Sequence, residues 1–78
     1  MNARVPARAV ATAQPIGSPE ERREFIAENL GLAGIHIELA QRYALIGDDH
    51  GLNYALRRYA AYSKAALGAF ADLKRAAA

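Results

Sequence analysis

The chain has no cysteine and no tryptophan, one methionine and two phenylalanines in 78 residues. Without cysteine it forms no disulfide, the usual staple of a domain this small, and offers no thiolate for a zinc site. Long apolar runs are also missing. None approaches the roughly 18 residues that a membrane-spanning helix needs, and the first residues lack the continuous apolar stretch of a secretory signal. The Arg- and Ala-rich, acid-free start resembles an organelle transit peptide only in composition; a disordered arm over 1–17 and a cytoplasmic location are expected instead. Proline is confined to Pro6, Pro15 and Pro19, so the rest of the chain is free to run in long helices.

What remains is mostly small and apolar. Hydrophobic residues make up 53% of the chain, but 19 of them are alanine, and the large ones are few. Chains of this length sit where one core barely offsets chain entropy. A deep, self-contained catalytic pocket is not expected, and no enzymatic role is assigned.

Net charge is only +2, but its distribution is polarised. Residues 20–49 carry Glu20, Glu21, Glu24, Glu28, Glu38, Asp48 and Asp49 against Arg22, Arg23 and Arg42. Residues 50–78 carry Arg57, Arg58, Lys64, Lys74 and Arg75 against Asp72 alone. The two segments are electrostatic opposites, able to attract each other within one chain or between chains.

Ser18-Pro19-Glu20-Glu21 is a helix start: a serine N-cap, proline at the first helical position, and glutamate three residues after the cap. Gly47 marks its end, and Asp48 or Asp49 can cap a second helix. The pattern therefore predicts an all-α, antiparallel two-helix hairpin over 18–78, with helices at about 19–46 and 50–76.

In the first helix the spacing predicts a seam of Ile26, Leu30, Ala33, Ile37, Ala40 and Ala44. Phe25, Leu32 and Tyr43 form a second stripe about 120–140° away, and Ile35, Leu39 and Ile46 lie almost opposite the first. The second helix has a seam of Leu52, Ala55 or Leu56, Tyr59, Tyr62, Ala66, Phe70 with Ala69, and Leu73. Gly31 and Gly34 either permit a close helix contact or kink the rod near residue 31. One hairpin hides one stripe per helix, so the surplus implies a partner. A homodimer forming a four-helix bundle is expected, or docking onto another protein's helical surface. The expected interface residues are Phe25, Ile26, Leu30, Leu32, Ile35, Ile37, Leu39, Tyr43, Ile46, Tyr59, Tyr62 and Phe70.

Over Leu39–Ala66, the segment LAQRYALIGD resembles the first helix and turn of a tetratricopeptide repeat: Leu39 and Ala40, then Tyr43, then Gly47-Asp48 at the turn. The second helix departs from that pattern, with Ala55 and Tyr59 about three residues late, and one pair stands where stacked repeats are the rule. The resemblance covers about a third of the chain and reflects shared hairpin physics rather than membership.

Three constellations carry candidate chemistry. Asn29, His36 and Tyr43 share a face and form a candidate polar core that sets helix register or senses pH. Arg57, Arg58, Lys64, Lys74 and Arg75 are candidate phosphate contacts, helped by Arg4 and Arg8, which makes a nucleic-acid-binding accessory protein the rival reading. The two histidines, His36 and His50, lack the Glu-x-x-His spacing of a bundle metal site, so neither metal nor cofactor is expected.

Overall fold

A computed structural model describes residues 17–77. Two helices account for nearly all of it: α1, Pro19–Ile46, and α2, Asp49–Ala77. They lie side by side as an antiparallel hairpin, the fold class that the punctuation and equal lengths imply. The arm expected over 1–17, with Arg4 and Arg8, lies outside the described residues except for Gly17.

The start of α1 is built as its sequence suggests. The Ser18 hydroxyl accepts the Glu21 N–H at 3.2 Å, and the Glu21 carboxylate accepts the N–H groups of Ser18 and Gly17 at 3.3 and 3.2 Å. Gly17 takes a left-handed φ of 81°, and its carbonyl accepts from the Arg22 guanidinium. Replacing Ser18 by alanine strips one donor of its partner and is expected to cost about 1 kcal/mol, measurable as a lowered denaturation midpoint.

The turn is shorter than three residues. Gly47, at φ 73°, donates to the Ala44 carbonyl at 3.2 Å, and Asp48 donates to Tyr43 at 2.9 Å, which together close a Schellman end. Asp48 then caps α2: its carboxylate accepts the Gly51 N–H at 2.9 Å. Of the two aspartates the sequence offers, the first is the cap. The second enters the first helical turn, where its charge suits the helix dipole.

The two seams follow a seven-residue period. On α1 the inward residues are Ile26, Asn29, Ala33, His36, Ala40 and Tyr43; on α2 they are Leu52, Ala55, Tyr59, Tyr62, Ala66, Ala69 and Leu73. Tyr43 packs on Gly51, and His36 lies between Tyr54 and Tyr62; this register puts Tyr43 level with Leu52, Ala40 with Ala55, His36 with Tyr59, Ala33 with Tyr62, Asn29 with Ala66 and Ile26 with Ala69. Large faces small in three of these six layers, and alanine faces alanine near the turn. The only buried hydrophobic residues are Ala33, Ala40, Ala55 and Ala66, among the described residues.

This corrects the expected seam of α1. Leu30, Ile37 and Ala44 are exposed, and the residues one place earlier, Asn29, His36 and Tyr43, turn inward instead. On α2, Ala55 and Ala69 face the seam while Leu56 and Phe70 stay outside. Buried alanines let the two rods come together, and the larger inward residues fill the layers between them, so the seam is chosen by how the two surfaces fit and not by hydrophobicity alone. Neither glycine of α1 interrupts the helix. α1 is one continuous helix through Gly31 and Gly34, and a Cβ at either glycine would meet nothing within 4 Å. The hairpin's own packing does not require them.

Candidate functional site

Because both helices share the seven-residue period, each seam has two flanks, and antiparallel pairing joins like flanks into two broad faces. One face takes Leu30, Ile37 and Ala44 from α1 with Leu56, Ser63 and Phe70 from α2. Just outside these lie Ala27, Gly34 and Gln41 on α1, and Asn53, Ala60 and Leu67 on α2. Between Arg23 and Lys74 at the open end and the turn, this face bears no charged residue. Its large side chains are uncovered: Leu30 is 54% exposed, Ile37 43%, Leu67 71% and Phe70 47%.

The second face is mixed. Phe25, Leu32, Leu39 and Ile46 make a straight apolar stripe at seven-residue intervals, edged by Glu28 and Arg42. The α2 flank beside it holds Arg58, Ala65 and Asp72. His36 lies here between two tyrosines, its ring centroid 6.1 Å from Tyr54 and 5.4 Å from Tyr62. Arg58 lies over the Tyr54 ring at 5.5 Å. The Tyr54 phenol, and Tyr62 beyond it, push the Arg58 pKa above its ordinary value.

The expected interface residues therefore separate into groups. Ile26, Tyr43, Tyr59 and Tyr62 line the seam inside the hairpin. Leu30, Ile37 and Phe70 lie on the charge-free face, and Phe25, Leu32, Leu39 and Ile46 on the mixed one. Ile35 is 55% exposed beyond the mixed stripe. Leu45, Leu56 and Leu67 are exposed hydrophobics that sequence reasoning did not place outside the seam. The phase of Ala60 and Leu67 with Gly34 and Ala27 was the available signal.

Asn29, His36 and Tyr43 do share the seam, but the bonds of Asn29 and His36 stay within their own helix. Asn29 Nδ2 donates to the Phe25 carbonyl at 2.9 Å, and His36 Nδ1 lies 2.9 Å from the Leu32 carbonyl. Tyr43 crosses Gly51, where a Cβ would come within 2.6 Å of the ring. Asn29 is buried, and its carbonyl oxygen has no hydrogen bond among the described residues. Asn29→Leu is expected to stabilise the hairpin by about 1–2 kcal/mol, because the unsatisfied oxygen goes and Ala66 opposite leaves room; thermal denaturation reads this.

Of the five cations of α2, Arg57, Lys64 and Arg75 share one outward stripe, flanked by Arg58 and Lys74. Arg57 bonds Asn53 Oδ1 at 3.4 Å, Lys74 lies 5.3 Å over the Phe70 ring, and Arg75 pairs with Asp72. Arg57 and Lys64 point away from α1, Arg58 lies on the mixed side, and Lys74 borders the charge-free side. No group of metal-ligating residues occurs among the described residues. A shallow cleft of about 390 Å³ at the open end is lined by Gly17, Glu21, Arg22, Phe25, Ala69 and Asp72. It holds no nucleophile with a base beside it. None of the helices described is long and apolar enough to cross a membrane.

The described residues thus define a small α-helical hairpin with two uncovered faces. No protein-family model, no curated protein and no solved structure matches this chain.

Proposed function

We propose that this chain is a non-enzymatic, cytoplasmic interaction module of regulatory or adaptor type, whose hairpin pairs with a second copy to make a four-helix bundle. The observation that carries the reading is the buried core itself. It consists of alanines, with no large side chain fully enclosed, while Leu30, Ile37, Leu56, Leu67 and Phe70 stand open on one charge-free face. Contiguous apolar surface of this extent marks an interaction site. Rods about 42 Å long and two helices wide present roughly 800 Å² per face, the footprint each partner contributes to a standard stable interface. The mixed face, with its stripe from Phe25 to Ile46, remains for a helix of another protein. Sedimentation equilibrium over a hundredfold dilution tests the reading. A dimer whose melting temperature rises with concentration is expected; a folded monomer at every concentration refutes it.

A further inference from the structure

The charge-free face limits how a second copy can sit on it, and a choice between two symmetric arrangements follows. In one, the twofold axis runs parallel to the rods, so each α1 lies beside the partner's α2. In the other, the axis crosses the rods, so α1 lies on the partner's α1 and α2 on the partner's α2. We infer that the copies are related by the axis parallel to the rods, which places the two Gly47-Asp48 turns at the same end of the bundle and α1 against the partner's α2. The inference rests on the self-association proposed above.

Two observations point to it. First, charge is divided between the helices. The outward residues of α1 include Glu20, Glu24 and Glu38, and those of α2 include Arg57, Lys64 and Lys74. The crossing axis brings acid beside acid and base beside base. The parallel axis brings opposite signs together; neighbouring helices are antiparallel in either arrangement, so charge and not the helix dipoles makes the choice.

Second, rotation about an axis parallel to the rods leaves heights unchanged. The partner's α2 must then meet α1 in the register that the hairpin's own α2 already has. In that register, which the seam sets, some of the outer residues find complementary neighbours, while the partner's Lys64 comes level with Gly31 and the partner's Ala71 with Glu24. Glu38 comes level with the partner's Arg57, and Glu20 with the partner's Lys74. Gln41 meets the partner's Asn53, Ala27 meets the partner's Leu67, and Gly34 meets the partner's Ala60. This gives Gly34 a reason to be glycine. Nothing in its own hairpin comes within 4 Å of its missing Cβ, and a small pair lets two helices approach closely.

The native chain has no cysteine, so Asp49→Cys gives one labelling position, exposed beside the turn. Pulsed electron-electron distance measurement on the spin-labelled dimer is expected to give a separation below about 30 Å, from helices spaced about 10 Å apart. Turns at opposite ends of rods about 42 Å long would lie beyond about 40 Å, and that result overturns the arrangement while leaving self-association intact. A monomer in the same sample by sedimentation overturns both and makes a different chain the occupant of the face. Glu38→Lys and Arg57→Glu are each expected to weaken dimerisation up to about tenfold, since each pair occurs twice. Combining them is expected to restore it. Failure of the double variant to recover overturns the pairing of α1 with the partner's α2. Within one hairpin the two residues lie on opposite outer sides, so loss of an intrachain contact cannot imitate the result.

Discussion

Ile37→Glu is expected to raise the dimer dissociation constant by at least about a hundredfold, seen as a shift from dimer to monomer in sedimentation at tens of micromolar. Ile37 sits mid-way along the charge-free face and is 43% exposed in the lone hairpin. A carboxylate there keeps its water in the monomer but loses it in the bundle, where no cation of the central face can pair with it. An unpaired buried charge costs several kcal/mol, and each dimer carries the substitution twice. Ile35→Glu is the matched control. Ile35 is two residues away, more exposed, and outside the charge-free face, so the change in dissociation constant is expected to stay within about threefold. Equal effects from the two variants would show that the face is wrongly assigned. Since the hairpin's own layers are untouched by either change, a loss of helicity in Ile37→Glu on dilution would mean that the fold depends on the second copy.

Ala55→Leu is expected to destabilise the fold by about 1–3 kcal/mol or more, read from the midpoint and amplitude of urea denaturation. Ala55 has no exposed surface, and the register sets it level with Ala40, itself buried. Leucine adds three carbons at a layer with no space for them, so the helices must part along the turn-proximal half or the side chain must leave its rotamer. Ala61→Leu, on the outward side of the same helix, is expected to fall within about 0.5 kcal/mol of the native chain. If both variants behave alike, the alanine seam does not set the spacing of the helices.

Much of the hairpin was legible from local chemistry. Ser18, Pro19 and Glu21 mark one helix end, Gly47 marks the other, and the residues between them repeat with helical period. Each of these signals acts within a few residues, so it is visible in the chain itself. The surplus of apolar surface was legible for a similar reason, since it depends only on counting stripes against what two rods can hide. The seam of α1 was not. The stripe through Leu30 and Ile37 is more hydrophobic than the one through Asn29 and His36, and hydrophobicity alone selects the wrong one. The exposed positions of Leu56 and Leu67 were missed for the same cause, because placing them requires knowing which way α2 is turned.

Caps, helix lengths, the antiparallel turn and the separation of charge between the two segments follow from the order of residues, because each arises from groups close together along the backbone. Which stripe of each rod faces inward was decided only in three dimensions. Close approach depends on the combined bulk of two surfaces in register: Ala40 meets Ala55, and the buried Ala33 and Ala66 each take a larger residue opposite, so the fit of the two helices and not the oiliness of one stripe selects the seam. That choice turns Leu30, Ile37, Leu56, Leu67 and Phe70 to solvent and creates the charge-free face.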